Sequence, residues 1–129
     1  MKKIKLLFFI TLILSSVLLS AQSKHTLIAK FNSVDKVIVQ ETNQTSSLFS
    51  VKCSLEMIKT MQTTVENYNS DISFVYSEDT KNKGSYNCVM TFNHVAVPME
   101  FYKPLYMMGF TGLSIARKDY PLDYILTIK

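Results

Sequence analysis

Cysteine offers this chain its widest choice of chemistry, and there are two among its 129 residues, Cys53 and Cys88. Two thiols can close a disulfide, hold a soft metal or supply a nucleophile. Met57 and Met61 follow Cys53 and lie one helical turn apart. Thioethers bind copper(I), so Cys53, Met57 and Cys88 form one candidate ligand set. The plainer reading makes Met61 a filler of core gaps and leaves Met57 at a helix flank. His25 and His94 are too far apart in sequence for a zinc motif or a charge relay, and no thiol-enzyme signature joins His94 to Cys88. The acid pairs Glu78-Asp79 and Asp119/Asp123 sit in polar stretches and read as solvated. No catalytic constellation emerges, so the expectation is a protein without enzymatic activity or cofactor.

The compartment narrows the thiol chemistry. Met1-Lys2-Lys3-Ile4-Lys5 is a positive start, Leu6 to Leu19 is an apolar run, and Ser20-Ala21-Gln22-Ser23 is a small, polar exit. These are the three parts of a secretory signal peptide, expected over residues 1–21 with cleavage after Ala21 or one residue earlier. The apolar run falls short of the roughly 20 residues that span a bilayer, and no cysteine follows the cut for lipid attachment. The mature protein is therefore expected to be exported, periplasmic or secreted, and free of the membrane.

Removing the leader also removes Lys2, Lys3 and Lys5. Of 14 basic and 10 acidic residues, 11 and 10 remain, and the net charge falls from +4 to about +1. The sequence pI of 9.0 is thus largely the leader's. The remaining basic residues are scattered along the chain, which argues against nucleic acid as a partner. The partner expected is instead an unknown protein of the cell envelope.

The elements that must position these residues follow from periodicity. Residues 22–47 read as an N-terminal extension: short strand-like runs at Leu27 to Phe31 and Val37 to Gln40, then a polar turn or loop, Glu41 to Ser47. Leu48 to Cys53 alternates, with Phe49, Val51 and Cys53 on one face. Ser54 to Tyr68 changes period: Leu55, Ile58, Met61, Val65 and Tyr68 predict an amphipathic helix capped by Ser54. Ile72 to Ser77 and Ser85 to Phe92 predict a hairpin across the polar turn Glu78 to Gly84. Pro98 to Met108 predicts a helix closed by Gly109, with Pro104 calling for a kink or a break. Gly112 to Arg117 predicts a strand, and Tyr124 to Ile128 a further one.

From Leu48 onward the order is β-α-β-β-α-β, which predicts an α+β, ferredoxin-like sandwich over residues 48–129 with extra edge strands at both ends. Its first and third strands should run antiparallel as neighbours. Setting Cys53 opposite Cys88 also sets Val51 opposite Met90 and Phe49 opposite Phe92, all on one face. With an oxidising compartment, a Cys53–Cys88 disulfide is the leading expectation. Two buried free thiols, or a redox or metal role, are the alternatives.

The stretch from Leu48 to Arg117 resembles the heavy-metal-associated domain of copper chaperones and metal-pump N-terminal domains. The likeness lies in Phe49-Ser50-Val51-Lys52-Cys53 leading into an amphipathic helix, and in Pro98 to Met108 leading into Gly109-Phe110. It covers about half of the chain. The family holds its metal with Cys-x-x-Cys in the loop after the first strand. Here that loop reads Cys53-Ser54-Leu55-Glu56, with a single cysteine. The resemblance therefore implies the fold more than metal binding. The expected function is a noncatalytic binding module; the alternative is a periplasmic copper-handling protein using Cys53, Met57 and Cys88. The dense aromatic set Phe101, Tyr102, Tyr106 and Phe110 reads as two core phenylalanines with tyrosines at the rim, or as a partner surface.

Overall fold

The structure is a computed structural model that describes residues 27–128; the leader, His25 and Lys129 lie outside the described residues. The elements are β1 (Ile28–Phe31), β2 (Val39–Gln40), β3 (Thr45–Lys52), α1 (Leu55–Tyr68), β4 (Ile72–Glu78), β5 (Ser85–Phe92), α2 (Pro98–Met108), β6 (Gly112–Ile115) and β7 (Lys118–Pro121). Short 3-10 turns cover Val34–Lys36 and Leu122–Thr127. The architecture is α+β, with one mixed seven-stranded sheet in the order β4-β5-β3-β1-β6-β7 and β2 paired to β3. No helix among the described residues is long and apolar enough to cross a membrane.

Helix α1 forms where the apolar period changes from two to three and four. Ser54 Oγ accepts the N–H of Met57 at 3.1 Å, satisfying one of the orphan donors of the first turn. Ile58, Met61 and Val65 form its buried stripe. Helix α2 begins at Pro98, and the Glu100 carboxylate accepts the Val97 N–H at 2.7 Å. It runs unbroken through Pro104, whose missing N–H leaves one carbonyl of the preceding turn without its usual donor. Gly109 closes the helix at φ +100°, a conformation that costs a residue with a Cβ about 1 kcal/mol or more.

Both helices pack on one face of the sheet and touch each other. That face carries Ala29, Phe31, Phe49, Val51, Phe74, Met90, Phe92, Leu113 and Ile115, all buried. Its centre is aromatic: Phe49 meets Phe31, Phe74 and Phe110 with ring centroids 5.5 to 6.3 Å apart. Leu122 and Ile125 of the last 3-10 turn extend the core beside α2 and β6. Among the described residues, no α-helix packs on the other face of the sheet.

Several expectations change. Thr45, Ser46 and Ser47 are the buried start of β3, where a polar loop was expected. Two of the three hydroxyls find partners: Thr45 Oγ1 donates to the His94 carbonyl and accepts the Ala96 N–H at 2.8 Å, and Ser46 pairs with Thr91. Tyr124 to Ile128, expected as a strand, lies mostly in a 3-10 turn, while β7 forms just before it. The expected edge position of the N-terminal strand is also overturned. β1 lies inside the sheet, antiparallel to β3 and parallel to β6. β2 continues along the same edge of β3 after the chain loops out between Asn32 and Ile38.

Candidate functional site

β3 and β5 are antiparallel neighbours, as expected, but the register differs by four residues. Phe49 opposes Cys88, Val51 opposes Tyr86, and Cys53 donates its N–H to the Gly84 carbonyl at 2.9 Å. An even slip keeps every side chain on its expected face. It sets the position facing Cys88 about 13 Å along the strand from Cys53, whereas a disulfide needs Cα atoms within about 7 Å. The expected Cys53–Cys88 disulfide is therefore corrected: both are free thiols. The cause is the added length of β3, which pairs Thr45 with Phe92 and shifts the ladder.

Neither thiol is poised for chemistry. Burial pushes Cys88 up to about 12, and its S–H is directed at the Tyr86 carbonyl, 3.8 Å away. Burial also raises Cys53. The slip offsets Cys88 from Cys53 along the strands, though Cys53 is still near enough to add to the rise of Cys88; Met57 is exposed at the start of α1 and Met61 is core. Among the described residues no group of three or more His, Cys, Asp and Glu could hold a metal. His94 Nε2 lies 2.8 Å from Glu100, which it holds below the usual glutamate range, and its ring packs edge-on against Phe92. Cys88 is on the core face and has no contact of this kind with His94. Phe101 and Phe110 are core, and Tyr106 stacks on Tyr102 at the exposed rim of α2.

What the chain scatters, the fold gathers on the open face. Lys30 of β1 opposes Ser50 of β3, so Lys52 lies diagonally beside it on the same face. The β4–β5 turn brings Lys81 and Lys83 to that corner, forming a depression of about 470 Å³ with Asn82 and Ser85. Lys30 also lines two further depressions. One, of about 260 Å³, lies between Lys36 and the floor residues Leu48, Ser50, Asn87 and Val89. The other reaches Ser114, Arg117 and Asp119. The three share Lys30 as a lining residue and together are the groove of the open face.

Of the nine basic residues between 27 and 128, six line this groove; of the ten acids, only Asp119 does. The sole ion pair among the described residues is His94–Glu100, far from the lysines in the fold. The two acids of the β4–β5 turn are engaged by backbone: Asp79 accepts the Lys81 N–H at 3.0 Å and Glu78 the Gly84 N–H at 3.4 Å. At the far end, Arg117 and Ala116 both hold left-handed backbone, at φ +71° and +52°, in the two-residue β6–β7 turn. Non-glycine residues in that conformation store strain, a feature that clusters at functional sites. Sequence reasoning missed this groove because no two of its basic residues are adjacent; only the register brings them together.

Comparison with protein-family models, with curated proteins and with solved structures finds no match to this chain.

Proposed function

We propose that this protein is an exported, noncatalytic binding module that works through the open face of its sheet. The observation that carries the reading is the asymmetry of that sheet. One face is filled by helices and an aromatic core; the other carries six basic side chains that make no ion pair among the described residues, around a groove with Val75 and Val89 exposed nearby. A face that exposes apolar and unpaired charged groups together is suited to a partner. Raised thiols and a histidine tied to a carboxylate supply no activated nucleophile, which favours binding over catalysis.

The frame reads as a ferredoxin-like βαββαβ unit. Supporting this are the element order from β3 to β6, the order β4-β5-β3, and two helices on one face. β1 occupies the place beside β3 where the last strand of such a unit would pair. On this reading the likeness to heavy-metal-associated domains is one of frame. A copper role would rest on Cys53 and Met57, one thiol and one thioether, against the paired thiolates that copper(I) favours.

Photo-crosslinking in the native cell tests the proposal. A crosslinkable residue at Val89, on the open face, should give a discrete adduct, and one at Thr63, on the exposed side of α1, should not. Adducts from Thr63 with none from Val89 would move the working surface to the helices and overturn the reading.

A further inference from the structure

We infer that the groove takes an extended acidic peptide segment of a partner protein, with carboxylates on the lysines and an apolar side chain over Leu48 and Val89. This rests on the open face being the working surface. Three features of the groove select that occupant.

The first is charge. Lys30 and Lys52 sit at diagonal positions of neighbouring strands, with Lys81 and Lys83 around the same depression. Diagonal neighbours lie about 7 to 8 Å apart, close enough for like charges to repel and for one anion to relieve several at once. Residues 1–26 contain no Asp or Glu, so the N-terminal segment supplies no counter-charge. The groove's own acid, Asp119, is at the far end beside Arg117.

The second is the floor. Beside the diagonal from Lys30 to Lys52 it changes to Leu48 and Val89, flanked by Ser50 and Asn87. An apolar patch alongside a row of cations matches a segment in which acidic and apolar side chains alternate, the acids on the lysines and the apolar side chains beside them. Phe31 and Phe49 border the depressions, but their side chains are buried in the core. Among the described residues, nucleic-acid bases would find no aromatic face in the groove to stack on.

The third is shape. From Arg117 on the β6–β7 turn to Lys83 on the β4–β5 turn, the basic residues step across four strands at about 4.8 Å spacing while moving along them, a span of about 25 Å. About seven or eight extended residues cover that length. A narrow oblique track suits a single chain better than the plane of a lipid surface.

The test uses the full mature chain and four probes: a labelled octapeptide alternating Glu and Leu, its Gln-for-Glu counterpart, oligothymidine of similar length, and phosphatidylglycerol vesicles. Anisotropy reads the first three and co-sedimentation the last. The acidic octapeptide should bind, weaken at least about tenfold on raising salt to about 0.3 M, and lose at least about tenfold with Lys30→Glu. Lys30→Gln should lose less, and Lys59→Glu, on α1, nothing. Circular dichroism identifies a variant that fails to fold, in which case Lys52→Gln carries the comparison. The inference is overturned if the Gln peptide binds equally, if oligothymidine or vesicles bind tighter, if Lys59→Glu matches Lys30→Glu, or if the octapeptide does not bind. Failure here with a Val89 crosslink intact removes the acidic peptide and leaves the open-face reading standing; loss of both removes both.

Discussion

At the scale of single residues, the two cysteines differ by depth. Cys88 is on the core face of β5 and held at about 12, so its thiolate is scarce at ordinary pH. Cys53 is half-buried at the end of β3. Alkylation without reductant at about pH 8 should label Cys53 first and Cys88 only on unfolding; two unlabelled residues that become reactive only after reduction would contradict the free thiols. Ser47 offers a second check, since its buried Oγ has no hydrogen-bond partner on the core face of β3. Removing an unsatisfied buried hydroxyl relieves its desolvation, so Ser47→Ala should raise stability by about 1 kcal/mol in denaturant titration. A third concerns Glu100, held below its ordinary 4.5 chiefly by His94 and then by the Val97 N–H. A depressed carboxyl contributes stability that is full above its unfolded value and lost as pH falls through the folded one. The stability advantage over Glu100→Gln should therefore be flat at neutral pH and shrink on acidification below about 4.5. The face on which each cysteine lies was legible from alternation; which partner it meets was not, because that depends on register.

At the scale of elements, legibility followed the strength of the local signal. Ser85 to Phe92 and Pro98 to Met108 form as read, and α1 starts one residue past its Ser54 cap. Thr45 to Ser47 was obscured because hydroxyls read as loop-like unless their internal partners are known, and the partners of Thr45 lie about fifty positions away. β7 was hidden by its turn. Two-residue hairpins favour Asn-Gly or Asp-Gly, and Ala116-Arg117 carries no such signal. That turn gives a direct test of backbone strain. Ala116→Gly removes a Cβ from the left-handed region and should raise stability by about 1 kcal/mol in thermal or denaturant unfolding. A loss of stability would mean that the turn is not left-handed at Ala116. Gly112 behaves oppositely: a Cβ there would meet the Tyr120 carbonyl at 3.0 Å, so the β6–β7 pair closes on it.

At the scale of the whole molecule, the sequence pattern from Leu48 onward carried the element order and the sidedness of the sheet. It did not carry the insertion of β1 between β3 and β6, because a strand only four residues long says nothing about its neighbours. Nor did it carry the groove, which exists only where β1, β3, β6 and two turns meet in one register. The functional account therefore hangs on that register. With Phe49 opposite Cys88, Lys52 meets Ser85 and stands beside the lysines of the β4–β5 turn. A slip of four residues would carry Lys52 about 13 Å from that turn, break the groove, and bring the two cysteines together. Cross-strand nuclear Overhauser contacts in the intact protein measure this directly. The account predicts contacts between Ser50 and Asn87, and between Lys30 and Ser50. Contacts of Cys53 with Cys88 and of Phe49 with Phe92 would contradict it.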